Sequence, residues 1–351
     1  MAGRRGWIGR ICLGLVLALA GIVWAAVPAS AAHRRRYAPL DQPGPALSVP
    51  ARKLRAAVSC RGAVRHDVRN PILLVPGTDL DPKSNYSWNY ERAFAARHWA
   101  YCAVRLPAHA TGDIQVAGEY VVHAIRTLAR RSGRRVDILG YSQGGMVPRW
   151  ALRFWPDTRR LVKSFVALDP SNHGTVDANA TCRQQCSAAD WQQAEGSHFM
   201  LALNSYAETF AGIDYTVIYS RTDEIVVPNF NSSGSSSLHT GRGRIENIAV
   251  QQICPNDTSD HLAMGSYDPV GYALAADAFA RESLARPGDV PSTVCAQPFQ
   301  PGVDPLAFAS NYEMFLAAIG NAQQTAPQLS AEPPVKSYVY ARRRTARNRR
   351  R

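Results

Sequence analysis

The chain has 351 residues, enough for one large domain or two ordinary ones with a buried core that needs no metal or cross-link. With 46% hydrophobic and 19% charged residues, it is not a mainly disordered, collagen-like or multi-spanning membrane protein. The net charge of +13 comes from the ends: three arginines in the first ten residues, three at 34–36, and seven between Arg342 and Arg351. The neutral remainder argues against a nucleic-acid-binding face.

The first 32 residues have the pattern of a secretion signal. A basic start precedes an uncharged apolar run over 11–27, and Ala29-Ser30-Ala31 forms a small-residue cleavage site. An uncleaved membrane anchor is the alternative, but the run is slightly short for a spanning helix. No other stretch is long and apolar enough to span a bilayer. We therefore predict a secreted, extracellular protein with no transmembrane anchor once the signal is removed.

Cysteine usage also favours an oxidising compartment. After Cys12 leaves with the signal, six cysteines remain and could close three disulfides. They are Cys60, Cys102, Cys182, Cys186, Cys254 and Cys295. Only the pair at 182 and 186 is closely spaced, and without a second pair or clustered histidines it makes a poor zinc site. We predict disulfides and no metal.

Strands and helices alternate along the chain after an extended, Arg- and Pro-rich leader at 33–53. Buried strands are predicted at 72–75, 101–106, 136–139, 164–168, 215–219 and 245–250. Helices are predicted at 86–98, from a Thr111 cap to Gly133, and at 143–154. This order predicts an α/β catalytic domain at 54–341, with a mostly parallel sheet covered on both faces. The serine-rich piece at 231–237 is predicted to be a surface loop.

The pattern G-x-S-x-G occurs at 140–144, between a predicted strand and a predicted helix. A serine hydroxyl is a weak nucleophile at neutral pH, so it needs a sharp turn, uncrowded neighbours and a base. Glycines on both sides of Ser142 meet the first two needs. An ordinary glycine-rich turn is the competing interpretation. The strand-to-helix context favours Ser142 as a nucleophile.

A nucleophilic serine requires a histidine, and that histidine requires an acid that fixes its tautomer. In this type of fold the chain order is serine, acid, histidine. Asp223 follows the strand at 215–219, and His261 follows the next strand, so they are the predicted acid and base. Asp169 directly follows the strand at 164–168 and could supply the acid instead. His173 precedes Asp223 and is predicted to be a loop histidine.

Catalysis of acyl transfer also needs donors aimed at the oxyanion of the tetrahedral intermediate. The residue after the nucleophile, Gln143, is expected to supply one backbone N–H. The second donor is expected in the turn at 76–78, where Thr78 can offer both its N–H and its hydroxyl. A simple turn with no such role is the alternative for this loop.

Several of these segments resemble motifs of one lipase family. They are PILLVPGT at 71–78, SQGG at 142–145, WQQ at 191–193, TDEIV at 222–226 and DH at 260–261. In this order they are similar to the motifs of lipases like Candida antarctica lipase B, within the α/β-hydrolase superfamily. The resemblance covers roughly 54–342.

The resemblance implies an α/β-hydrolase fold and cofactor-free hydrolysis of triacylglycerols or other carboxylic esters. It implies Ser142 as nucleophile, with Asp223 and His261 completing a triad. Thr78 and Gln143 would form the oxyanion hole. It also implies the disulfides Cys60–Cys102 and Cys254–Cys295.

The sequence departs from the family near the predicted active-site mouth. The family has an acid after the strand matching 164–168, where this chain has Ser171, and Asp169 lies two residues earlier. Cys182 and Cys186 have no counterpart, and the family's third, C-terminal disulfide is absent. The insertion at 172–211 is predicted to form the mouth or a lid.

These observations predict a secreted serine lipase or esterase. A secreted acyltransferase or polyesterase would use the same acyl-enzyme, and a catalytically idle surface-binding protein is a more distant alternative. The basic tail at 342–351 has no apolar face and is not expected to fold by itself. It is either a solvated terminus or an arm that binds anionic surfaces such as acidic phospholipid.

Overall fold

The computed structural model of the protein describes residues 36–65 and 68–342. The predicted signal peptide and the basic tail beyond Arg342 lie outside these residues. Within the predicted leader, the described residues 36–50 contain no helix, and the first helix begins at Ala51. Residues 36–50 contact the C-terminal segment, where the Ala38 N–H donates to the Val339 carbonyl at 2.8 Å.

Within the described residues, seven strands form one sheet. They are β1 (Val58–Arg61), β2 (Ile72–Val75), β3 (Tyr101–Val104), β4 (Val136–Tyr141), β5 (Val162–Leu168), β6 (Asp214–Tyr219) and β7 (Arg244–Ala249). Their order is β1-β3-β2-β4-β5-β6-β7. Only β1 runs antiparallel to its neighbour, at one edge. The carboxyl ends of β2, β4, β5 and β6 therefore meet at one edge of the sheet.

Helices cover both faces of this sheet. They are α1 (Ala51–Ala56), α2 (Pro82–Tyr86), α3 (Tyr90–Ala96), α4 (Ile114–Ser132), α5 (Val147–Phe154), α6 (Val176–Thr181), α7 (Ala188–Gln193), α8 (His198–Leu203), α9 (His261–Met264), α10 (Pro269–Arg281) and α11 (Phe308–Thr325). Successive side chains of β2 enter opposite hydrophobic cores: Leu73 and Val75 pack in one, Ile72 and Leu74 in the other. Because both faces are buried, the strand reads as a continuous apolar run, and the predicted architecture is confirmed.

Three helix predictions differ from the structure in their bounds or caps. The predicted helix at 86–98 is shorter, since α2 ends at Tyr86 and α3 covers only Tyr90–Ala96, with the Asn89 side chain as its cap. Helix α4 is capped by Asp113 rather than Thr111: the Asp113 carboxylate accepts from the Gln115 N–H at 2.9 Å. The segment predicted as a helix at 143–154 starts with a 3₁₀ turn, and α5 begins at Val147. The predicted end of α4 at Gly133 is correct, with φ of 69°.

The serine-rich segment predicted as a surface loop is only half exposed. Its first three residues, 231–233, are exposed, but Ser236 and Ser237 are fully buried. The carbonyl of Ser236 accepts from Asn172 Nδ2 at 2.6 Å, and its hydroxyl accepts from Asn229 Nδ2 at 2.9 Å. These bonds satisfy the polar groups of a buried serine, so polar composition alone misplaced this half of the loop.

Three disulfides are formed within the described residues. Cys60–Cys102 joins directly opposed positions of β1 and β3, and Cys254–Cys295 ties the segment after β7 to the segment before α11. Cys182–Cys186 closes a short loop inside the insertion. The predicted use of all six cysteines in disulfides agrees with the structure. No helix in 36–65 or 68–342 is long and apolar enough to cross a membrane.

Candidate active site

Ser142 lies on a tight turn directly after β4. Its backbone has a positive φ of 54°, a strained conformation for a residue with a side chain. A Cβ at Gly140 would lie 2.0 Å from the Gly144 carbonyl oxygen, and one at Gly144 would lie 2.1 Å from that of Val75. Only glycine fits at either position. The turn presents the Ser142 hydroxyl above the carboxyl edge of the sheet.

The three residues predicted as nucleophile, base and acid are in hydrogen-bond contact. His261 Nε2 lies 3.0 Å from the Ser142 hydroxyl oxygen, and His261 Nδ1 lies 2.9 Å from Asp223 Oδ2. The other oxygen of Asp223 accepts from the N–H groups of Ile225 and Val226 at 2.9 and 2.8 Å. Both carboxylate oxygens are therefore engaged, and Asp223 cannot rotate without losing these bonds.

His261 is held in place by its backbone as well as its ring. It opens the short helix α9, which Asp260 caps by accepting from the Ala263 N–H at 2.7 Å. The Tyr141 hydroxyl donates to the His261 carbonyl at 3.0 Å. The His261 N–H donates to Glu224 at 3.1 Å. These contacts fix the imidazole between Ser142 and Asp223.

Two opposing effects act on the basicity of His261. Burial of the ring lowers its pKa, while the charge of Asp223 and the hydrogen bond to it raise the pKa. The attractive effects win, so the His261 pKa lies above its ordinary value of 6.5. The site therefore stabilises the imidazolium that would form when Ser142 loses its proton.

The alternative candidates occupy different positions. Asp169 Oδ2 is 4.0 Å from His261 Nδ1, beyond hydrogen-bond distance, and its Oδ1 accepts from the Ser220 N–H at 2.8 Å. His173 makes no bond to Ser142: its Nε2 contacts Glu208 at 2.5 Å and its Nδ1 contacts the Ser235 carbonyl at 3.0 Å. His173 therefore links its own loop to Glu208 and to the serine-rich loop, in agreement with its prediction as a loop histidine.

Asp169, Asp223 and His261 also form the one group in the described part of the chain with metal-ligand spacing. Their ligand atoms lie within 4.8 Å of one another. The Nδ1 of His261 is already committed to Asp223, and its Nε2 is committed to Ser142. The arrangement is that of a proton relay, in which a metal would compete with hydrogen bonds already made.

The side chains of the expected oxyanion donors meet beside Ser142. The Thr78 hydroxyl donates to Gln143 Oε1 at 3.0 Å. Gln193, from α7, donates through Nε2 to Thr78 Oγ1 at 3.0 Å and to Gln143 Oε1 at 3.1 Å. Ser171 in turn donates to Gln193 Oε1 at 2.8 Å. Gln193 belongs to the WQQ motif, but no role was predicted for it.

A cavity of about 500 Å³ opens above Ser142 and His261. The insertion at 172–211 forms one wall, as predicted, with contributions from α6, α7 and the loop that joins them. Ile319 and Gln323 of α11 also line the cavity. No motif marked α11, and its amphipathic spacing alone could not show which side chains would face the cavity.

The cavity wall carries three carboxyl groups: Asp79, Asp177 and Asp190. Burial, followed by the charge of Asp190, raises the pKa of Asp79 to about 7, although a hydrogen bond from Gln323 opposes this. The charge of the wall next to Thr78 therefore changes near neutral pH.

Comparison with known proteins places this geometry in a family. Residues 120–257 match the family model of class 2 lipases. Lipase B of Pseudozyma antarctica is 34% identical over 246 residues, which are 69% of this chain and 70% of that protein. The crystal structure of Aspergillus fumigatus lipase B superposes with a TM-score of 0.77 at 29% identity, covering 85% of this chain and 74% of that one. The predicted α/β-hydrolase fold is thereby confirmed.

Proposed function

Because the chain belongs to the lipase B family of α/β-hydrolases and is a carboxylic ester hydrolase, we propose that it is a secreted serine lipase or esterase acting through an acyl-enzyme. The observation that carries the proposal is the continuous hydrogen-bonded relay from Ser142 through His261 to Asp223 at the base of the cavity. Triacylglycerols are the proposed natural substrate class.

In the acylation step, His261 Nε2 accepts the Ser142 proton while the serine oxygen attacks the ester carbonyl. Asp223 keeps the proton on Nδ1 and stabilises the imidazolium through the 2.9 Å contact. His261 then gives its proton to the departing alcohol. In the second half-reaction, water attacks the acyl-enzyme with His261 again as base, which releases the acid and restores Ser142.

The oxyanion would be stabilised by the N–H groups of Thr78 and Gln143. The 3₁₀ turn that includes Gln143 starts at Ser142, and the first N–H groups of a helix have no acceptor within it. The Thr78 hydroxyl supplies a third donor when it rotates away from Gln143 Oε1. Gln193 Nε2 holds Thr78 Oγ1 during this rotation, because it donates to that oxygen.

The cavity lining supports an acyl substrate. Leu80, Ile225, Val226, Leu262 and Ile319 offer apolar contacts beside Ser142. Polar groups of the insertion also line the cavity, which suits the oxygen-rich alcohol portion of a glyceride. The similar proteins from Pseudozyma antarctica and Aspergillus fumigatus are both named lipase B.

Secretion is proposed from the signal-like residues 1–32 together with the three disulfides, which persist in oxidising compartments. Expression of the full chain with N-terminal sequencing of the protein in the culture medium tests this proposal. We expect a mature N-terminus shortly after residue 31. Retention of the full chain in the membrane fraction would contradict secretion.

An activity profile across esters of increasing acyl length, with and without an emulsion interface, tests the proposed reaction. We expect hydrolysis by the wild-type protein and none by Ser142→Ala, and labelling of the wild type by a fluorophosphonate at Ser142. Absence of both hydrolysis and labelling would indicate an idle binding protein. Faster acyl transfer than hydrolysis when alcohols are added would instead indicate an acyltransferase.

We further propose that the basic tail binds anionic surfaces, on the basis of its seven arginines among the last ten residues. Each arginine near such a surface is worth about 1 kcal/mol at low salt. Deleting 342–351 should leave turnover of a soluble ester unchanged and weaken binding to vesicles containing phosphatidylserine. Equal binding of both proteins at low salt would remove this role.

A further inference from the structure

Asp169 is a fully buried carboxyl group that the proposed reaction does not use. It lies directly after β5, with a positive φ of 41° that is unusual for aspartate. Its Oδ1 accepts from the Ser220 N–H, but its Oδ2 has no hydrogen-bond partner among the described residues. A buried polar atom without a partner is costly, so its role requires explanation.

The unpartnered oxygen points toward the acid–base relay. Asp169 Oδ2 lies 4.0 Å from His261 Nδ1, and the ligand atoms of Asp169, Asp223 and His261 are all within 4.8 Å of one another. A carboxylate at this position could only accept hydrogen bonds, and the Nδ1 proton of His261 already goes to Asp223. A protonated carboxyl group would instead have a hydrogen to donate.

The surroundings of Asp169 favour the protonated form. Burial raises its pKa well above the ordinary value, and the charge of Asp223 raises it further. The Ser220 N–H acts in the opposite direction, while the charge of Asp268 adds to the rise. His261 is the cationic group near Asp169 when its ring is protonated. Burial and the charges of Asp223 and Asp169 raise the pKa of the Tyr141 hydroxyl. Two adjacent buried carboxylates would repel each other.

We propose that Asp169 is a positioning residue that stays protonated and donates a hydrogen bond to Asp223. The two carboxyl groups together then carry a single negative charge opposite His261. This inference rests on the proposed function of Ser142, His261 and Asp223. Asp223 then accepts four hydrogen bonds, from Asp169, His261 and two backbone N–H groups. No proton leaves Asp169 during the reaction, so His261 alone carries the proton between Ser142 and the alcohol.

The proposal predicts the sign of a change in the pH profile. A donor on Asp223 withdraws negative charge from the oxygen that faces His261, so Asp169→Ala should raise the His261 pKa. The acid limb of kcat/KM should move to higher pH, and kcat should fall about tenfold with KM little changed, because a hydrogen bond to a charged group is lost. Asp169→Asn retains an N–H donor and should restore both the limb and most of the rate.

An ionised Asp169 would give the opposite sign. Removing a second negative charge near His261 would lower the His261 pKa, so both variants would move the acid limb to lower pH. That outcome overturns the proposal, as does a loss in Asp169→Asn equal to that in Asp169→Ala. Asp137→Asn is the matched control, since Asp137 is a buried carboxyl that contacts Asn70 and the Ser164 N–H rather than the relay.

A measurement without turnover separates this proposal from the proposed function. The difference infrared spectrum of wild type minus Asp169→Asn at neutral pH should contain the carbonyl stretch of a protonated carboxyl group. Other buried acids such as Asp137 and Asp268 are present in both proteins and cancel. A missing band overturns the proposal even if the enzyme is active and Asp169→Ala fails to fold. Absence of esterase activity with the band present would overturn only the proposed function.

Discussion

Two regions at the cavity are built in different ways. The region called the floor is the hydrogen-bonded set of Ser142, Asp223 and His261, which are 7%, 5% and 3% exposed. Ser142 and His261 line the cavity, and Asp223 contacts His261. The mouth consists of the insertion at 172–211 together with α11. The insertion's three helices have only six residues each, and many residues around its disulfide loop are exposed.

The two regions are anchored differently as well. Asp223 is held by the N–H groups of Ile225 and Val226, and the His261 carbonyl accepts from the Tyr141 hydroxyl. The insertion is attached through the buried guanidinium of Arg149, which donates to the Asn172 carbonyl at 3.1 Å and to Asn204 Oδ1 at 2.6 Å. The difference leads us to expect that the proposed chemistry is fixed by the sheet edge and that substrate choice depends on the insertion. Changes to the floor should alter kcat, and changes to the mouth should alter selectivity.

The largest expected effect is loss of the proposed nucleophile or the proposed base. Ser142→Ala and His261→Ala should each reduce kcat for a soluble ester by roughly 10⁶, and the double variant should be no worse, because the residues act as one unit. Steady-state kinetics with a 4-nitrophenyl ester checks this. Ser233→Ala, in the exposed part of the serine-rich loop, is the control. Independent, additive losses would contradict a shared relay.

Removing the charge of the floor acid should have the next largest effect. Asp223→Asn should fold normally yet lose about 10⁴ in kcat, because the amide disturbs the tautomer of His261. Circular dichroism and kcat measured on the same preparation test both parts. The same substitution at Asp169 should be far milder. If Asp169→Asn is the more damaging change, Asp169 is the acid and the floor has been assigned incorrectly.

Thr78 lies where the floor meets the mouth, and its hydroxyl offers a graded test. Thr78→Val should lower kcat by roughly 10² to 10³ through loss of an oxyanion donor. Thr78→Ser keeps the hydroxyl and should recover most of the rate. Binding of a phosphonate transition-state analogue should weaken in parallel with kcat. A change confined to KM would place Thr78 in substrate binding alone.

Replacing the disulfides one at a time should separate effects on stability from effects on substrate selectivity. Cys60 and Cys102 are 42 residues apart, so replacing both with serine should cost about 4 kcal/mol of unfolding free energy. The loop between Cys182 and Cys186 spans only 4 residues, and its loss should cost about 2 kcal/mol. Denaturant unfolding measures both costs. The second variant should also change the acyl-length profile, because Cys186 lines the cavity. An unchanged profile would show that the mouth does not need this cross-link.

The smallest expected effect concerns pH. His261 must be neutral to accept the Ser142 proton, and its pKa is raised, so kcat/KM should fall as pH decreases through a value above 6.5.

Asp79, with a pKa of about 7, belongs to the cavity wall. Asp79→Asn should therefore change KM by a few-fold and leave the acid limb in place. A shifted limb in this variant would mean that the wall charge acts on His261.

The floor could be predicted from sequence because its signals are local. Ser142 lies in a short pattern between a strand and a helix, and Asp223 and His261 each follow a strand in the expected chain order. The structure places these residues within hydrogen-bond distance, whereas sequence alone left Asp169 as a competing acid. That choice depends on the distances of 2.9 and 4.0 Å to His261 Nδ1, which no pattern contains.

The remaining differences were set by contacts between distant segments. Thr111 and Asp113 are both good caps, but Gln192 of α7 bonds both to the Asp113 carboxylate and to the Ile114 N–H, which favours the later start of α4. The role of α11 in the mouth likewise depends on which face packs on α2 and its neighbours. Propensity and periodicity describe one segment at a time and cannot supply such information.

The pairing of the two ends of the described body has a consequence for chain order. Tyr37 and Tyr340 form an antiparallel bridge with stacked rings, and the Ala341 N–H donates to the Arg36 carbonyl at 2.9 Å. Ends this close can be joined by a short linker, and circular permutation is tolerated at exposed loop tips such as 231–233. Such a permutant keeps every strand pairing but encodes His261 first, Ser142 second and Asp223 last. The geometry of the site therefore does not require the chain order from which the acid and base were inferred.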